Sequence, residues 1–81
     1  MENNYKVRDV FAERIKSLIN EKGINIQKFS KALSIPASTI SDWINKKTTP
    51  SIENIPKIAM YFQVTADYLL GLIDFEWLWK H

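Results

Sequence analysis

Apolar residues recur along the chain at three- and four-residue spacing, in short stretches separated by polar breaks, and this spacing predicts helices throughout. The first stretch runs from about Asp9 to Lys22 and puts Val10, Phe11, Ile15, Leu18 and Ile19 on one stripe. Asp9 reads as its N-cap, Lys22 suits its negative C-terminal end, and Gly23 supplies a left-handed stop. A second helix is expected after Asn25, a good cap, closing near Leu33 with Ile26, Phe29 and Leu33 inward. Pro36 disfavours a helical Ile35 and so separates this helix from a third, about Ala37 to Asn45. The third helix has Ile40, Trp43 and Ile44 on its buried side. After the polar loop Asn45 to Pro50, Ser51 reads as the cap of a fourth helix, with Glu53 in its first turn and Ile55, Ile58, Ala59 and Phe62 inward. Pro56 would forfeit a hydrogen bond at the fifth helical position, so a loose first turn is expected, with the regular helix starting nearer Pro56. Thr65 caps a short fifth helix, Ala66 to Leu70, stopped by Gly71. The reading is all-α, five helices and no strand.

This divides the chain into an N-terminal arm (1–8), a helical domain (9–71) and a C-terminal tail (72–81). The tail holds Phe75, Trp77 and Trp79, two of the chain's three tryptophans among them. Five helices already account for a core, so these aromatics are expected to fold back onto it or to meet a second copy of the chain. At 81 residues the chain has room for one core, burying roughly 60% of the surface it exposes when unfolded. A hydrophobic content of 46% and a charged content of 25% exclude a disordered polyelectrolyte. With no cysteine there is neither a disulfide nor a thiolate metal site, which fits a reducing, cytoplasmic setting. No apolar run approaches the ~18 residues of a membrane span, and the polar start has no signal-peptide core. The single histidine is His81, and there is no glycine-rich phosphate loop or metal-ligand cluster. An enzyme, a cofactor and a metal are therefore not expected.

Charge changes the picture locally. Between Asn25 and Pro50 four lysines stand against one acid, a net +3, while the rest of the chain sums to −1. The excess sits on the second and third helices and the loop after them, as contact with phosphates requires. The third helix opens on small polar residues and closes on bulky apolar ones. Such a helix buries one side and offers a low hydrogen-bonding tip that fits a DNA major groove. Ser38 and Ser41 can donate or accept there, and Ala37 and the Thr39 methyl can touch a thymine methyl. Asp42 either accepts from a cytosine amino group or shapes specificity by excluding other bases. Read alone, Ser38, Thr39 and Ser41 would be an ordinary solvated face. Backbone anchoring falls to Asn25, Gln27 and Lys28 at the start of the second helix, and to Asn45, Lys46, Lys47, Thr48 and Thr49 after the third. Trp43 shares a face with Ile40 and Ile44 and belongs to the core rather than to base stacking.

These stretches together resemble the lambda-repressor-like helix-turn-helix domains of the Xre family, which include phage Cro proteins and phage repressors. The resemblance runs from about Phe11 to Gly71. It is carried by Phe11 to Lys16, Lys28 to Leu33, Ser38 to Ser41, Asn45 to Lys47, Pro50-Ser51 and Ile58 to Gly71. It implies an all-helical DNA-binding domain acting as a homodimer on a near-palindromic duplex. Three positions depart from the usual pattern. Ile26 stands where many members carry a phosphate-touching glutamine, and Asn25 or Gln27 would substitute. Ser34 replaces the usual turn glycine. Ile44 replaces an acid often paired with an arginine on the first helix, and Ile19 lies at about the partnering position, so an apolar pair would stand in for the ion pair. Ser30 falls where the second and third helices approach closely. On this reading the chain is a transcriptional regulator, a repressor of phage, plasmid or mobile-element type. The rival is a helical protein-interaction module using its aromatic tail, such as an antitoxin that grips a protein partner while also binding DNA.

Overall fold

A computed structural model describes residues 6–73. Five helices follow one another: α1 (Val7–Lys22), α2 (Ile26–Leu33), α3 (Ala37–Ile44), α4 (Asn54–Phe62) and α5 (Ala66–Leu70). The tail aromatics Phe75, Trp77 and Trp79 lie outside the described residues.

The N-termini follow local chemistry in two cases. Asn25 Oδ1 accepts from the Lys28 N–H at 2.9 Å, and Thr65 Oγ1 accepts from the Tyr68 N–H at 3.0 Å, each satisfying a donor that has no partner inside its helix. Two other starts differ from the sequence reading. α1 begins at Val7, with Lys6 at the N-cap making no side-chain bond. Asp9 therefore lies inside the first turn, where its charge still meets the positive helix end. Ser51 does not cap α4 with its side chain. Its carbonyl accepts from the Asn54 N–H at 3.0 Å in a turn that precedes the helix, and Glu53 occupies the N-cap position. The regular helix thus starts close to Pro56 after a loose turn, as expected, and Pro56 is its third residue rather than the fifth. At that position no intrahelical donor is called for, so the proline costs no hydrogen bond.

All five helices end alike. Four are followed directly by a residue in the left-handed region, Gly23, Ser34, Gln63 and Gly71, and α3 by Asn45 and then the left-handed Lys46. The N–H of the left-handed residue reaches back three positions, and the next N–H reaches back five. After α3, for example, Lys46 N–H bonds Trp43 O at 3.1 Å and Lys47 N–H bonds Asp42 O at 2.9 Å. This is the Schellman arrangement, which satisfies carbonyls that would otherwise be orphaned. Ser34, at φ 57°, adopts the turn that a glycine would make without strain.

The caps set the angles at which the stripes converge. α1 packs on α3 and α5, α2 on α3, and α4 on α5. Phe11, Ile15, Phe29, Ile40, Trp43, Ile58 and Leu69 are all essentially inaccessible. Phe29 of α2 stacks on Tyr61 and Phe62 of α4, with centroids 5.5 and 5.1 Å away. Ala12 is buried as well, beside the stripe the spacing predicted, while Val10 is only half-buried. Ile19 is buried and Ile44 half-buried, and both line one surface cleft.

Candidate nucleic-acid interface

α3 is held from within. Ile40 and Trp43 are buried against α1 and α2, and the Trp43 ring meets Phe11 of α1 edge to face. Pro36 O accepts from Thr39 N–H at 3.0 Å and from Ile40 N–H at 3.2 Å, so the first turn of the helix is closed from the preceding residue. Ser30 Oγ donates to Ile35 O, tying α2 to the turn that follows it. The small side chain at position 30 thus bonds to the turn between the two helices.

The opposite side carries the expected readers. Ser38 is exposed, and Ala37, Thr39, Ser41 and Asp42 are half-buried. Spacing alone places them on one outer edge; the structure adds that only Ser38 stands fully clear of the body. Ser41 Oγ accepts from Asn45 Nδ2 at 3.4 Å, one turn on. A residue read as a base contact and one read as a phosphate contact therefore touch each other.

The expected anchors form two exposed groups at either end of the helix-turn-helix. Asn25, Gln27 and Lys28 lie at the start of α2. Asn25 spends its side-chain oxygen on the cap, so Nδ2 is the donor it has to offer a phosphate. Asn45, Lys46, Lys47, Thr48 and Thr49 follow α3, all exposed. Thr48 N–H also points back to Asp42 O, at 3.4 Å, so the base of this loop is lashed to the helix.

Three features escaped sequence reasoning. Arg14 Nη1 donates to Tyr68 O and to Ile73 O, each at 2.7 Å, and its guanidinium lies 4.2 Å from the centre of the Tyr68 ring. This clamp fastens α1 to α5 and to the segment after it. Glu13 of α1 pairs with Lys46 at 3.3 Å, and with Lys16 at 3.8 Å. Lys22 lies 5.1 Å from the centre of the Tyr61 ring. Each contact joins residues on separate elements or has no fixed spacing signature. Only the reach of Lys16 to Glu13, three residues apart on one helix, was there to be found.

Among the described residues no helix is long and apolar enough to cross a membrane. They also bring together no group of three or more metal-ligating side chains.

The helix-turn-helix family model matches residues 15–69. No curated protein matches the chain. Two solved structures share its fold. A hypothetical transcription factor, NHTF, from Neisseria superposes with a TM-score of 0.76 at 21% identity, over 86% of this chain and 80% of that one. A transcriptional regulator from Listeria innocua gives a TM-score of 0.72 at 28% identity, over 83% of this chain and 63% of that one. This chain thus spans less than two thirds of the Listeria protein. The chain belongs to the lambda-repressor-like helix-turn-helix family, a family of DNA-binding transcriptional regulators.

Proposed function

We propose that the chain is a sequence-specific repressor of phage, plasmid or mobile-element type, acting in the cytoplasm as a homodimer on near-palindromic duplex DNA. The observation that carries this is the two-sidedness of α3: Ile40 and Trp43 are locked in the core while Ser38 stands clear one turn away. A rigid helix with a low polar tip can enter a major groove without rearranging. Ala37, Ser38, Thr39, Ser41 and Asp42 read bases. Asn25, Gln27, Lys28, Asn45, Lys46, Lys47, Thr48 and Thr49 hold the backbone on either side. That both structural neighbours are described as transcription proteins supports the regulatory role.

Two copies would place their α3 helices in half-sites about 34 Å apart, or a multiple of that. The surface offers apolar material for pairing near α5. Leu72 and Ile52 are 65% and 82% exposed. A groove of about 510 Å³ between the start of α1, α4 and α5 is lined by Val7, Ile52, Ile55 and Leu70 among others. Dimerisation through α5 would use this side and leave α3 open; dimerisation through the tail, the other expectation, falls mostly on residues outside those described.

Selection of bound sequences from a random duplex library tests the proposal. A near-palindromic consensus supports it; recovery of no sequence preference overturns it. The same apolar groove favours a second reading, an antitoxin-like module that grips a protein. A protein-binding module with no DNA role would show almost no salt-dependent binding to bulk duplex.

A further inference from the structure

Lys46 is unusual among the proposed anchors because its position is fixed and its ammonium is already engaged. Its backbone is held in the left-handed region, at φ 64°, by the bonds that close α3. Glu13, which faces it at 3.3 Å, is an exposed residue of α1, the helix whose buried Phe11 meets Trp43 of α3. The packing of α1 on α3 sets the separation of the two backbones and keeps the two side chains within reach of each other. Both remain accessible, with side chains 42% and 58% exposed. Lys46 also lines a polar cleft with Lys6, Arg8, Asp9 and Thr49. Among the described residues the neighbourhood is thus cationic, with Asp9 and Glu13 as its carboxylates.

We propose that Glu13 is a built-in competitor for the DNA phosphate at Lys46, and so limits sequence-independent affinity. This rests on the DNA-binding reading above. A carboxylate that holds the lysine in the free protein must yield it, or share it, when a phosphodiester arrives. Phosphate contacts carry no sequence information. Weakening one of them lowers non-specific binding while leaving the readers of α3 untouched. The effect is bounded, because a pair this exposed shifts an equilibrium by no more than about fivefold.

The test is a double-mutant cycle of Glu13→Gln and Lys46→Gln, measured by fluorescence anisotropy with bulk duplex DNA across a range of salt. Both substitutions suit their sites: glutamine is a good helix former at an exposed position of α1, and this chain already holds Gln63 in the left-handed region. Equal melting temperatures for the variants and the unaltered chain confirm that the fold is kept. The inference predicts that Glu13→Gln tightens binding about three- to fivefold at low salt and steepens the salt dependence. In the Lys46→Gln background the gain should fall below about twofold, since only the longer-range repulsion remains. An equal gain in both backgrounds would overturn the inference, because Glu13 would then act through net charge alone. No gain in either would overturn it as well. Failure of the unaltered chain to bind duplex at all is a separate result: it removes the DNA reading, and this inference with it.

Discussion

Phe11 and Trp43 meet edge to face, their ring centroids 5.9 Å apart and their planes at 72°. This contact joins the longest helix to the helix proposed to read DNA, and both residues are 1% exposed. The favoured T-shaped contact, together with the buried Ile40, helps hold the rotation of α3 about its axis and its distance from α1. The outward direction of Ser38 is a consequence of that rotation.

Trp43→Ala should therefore cost about 3–5 kcal/mol, the range for deleting a buried aromatic. For a domain this small that is a large fraction of total stability. Denaturant titration followed by circular dichroism should show a collapsed midpoint, with DNA binding lost alongside the fold. A variant that kept its midpoint would show that Trp43 does not brace the helix.

The helix ends give a paired prediction. Gln63 occupies a left-handed position with an ordinary side chain, at a cost of roughly 1–2 kcal/mol. Gln63→Gly should recover about 1 kcal/mol of this, net of the extra chain entropy glycine loses on folding. That corresponds to a rise in Tm of about 4–8 °C. Gly23→Ala should do the reverse and lower stability by about 1 kcal/mol. A Cβ at position 23 would meet nothing within 4 Å, so the loss would come from its φ of 71° and not from a clash. Thermal melts of the two variants check both signs.

Arg14 offers a test of the long-range clamp. Arg14→Ala removes two hydrogen bonds from a charged donor and the contact with the Tyr68 ring. A loss of about 2 kcal/mol is expected for a half-buried group of this kind. Arg14→Lys should restore less than half of it, because an ammonium lacks the planar fork that serves carbonyls and ring together. Full rescue by lysine in chemical denaturation would show that charge alone matters.

Anchoring and reading should separate by mutation. Lys47→Ala should weaken binding to all duplex sequences alike and reduce the salt slope by about one unit. Ser38→Ala should change preference at one base position and leave the slope unchanged. Binding isotherms on a panel of duplexes distinguish the two. If both variants scaled every sequence equally, the division of labour would be wrong.

Much of the fold was legible because its signals are local. Asn25 and Thr65 announce helix starts by capping chemistry, and Gly23 and Gly71 announce stops by their lack of a Cβ. Ile40 and Trp43 reveal a buried face by spacing. The start of α1 was misread because Lys6 has no capping chemistry, while Asp9 has it three residues further on. Pro56 looked awkward only while Ser51 was taken as the cap. Lys46 and Gln63 carry no mark of a left-handed residue; the bonds that close their helices place them there. The contacts of Arg14 and Glu13 with Tyr68, Ile73 and Lys46 left no mark in the sequence, since these partners lie far along the chain and only tertiary packing brings them near. The outer edge of α3 was readable as a set, but its unequal exposure, with Ser38 alone fully clear, depends on how α1 seats Trp43.

The central claim is that the first half of α3 touches base edges. Amide chemical-shift mapping of the isotope-labelled chain, titrated with a duplex recovered from the random library, tests it most directly. The account predicts the largest shifts at Ser38 to Asp42, with a second group at Asn45 to Thr49. Shifts confined to α5 and the apolar groove, with the amides of α3 unmoved, would contradict it.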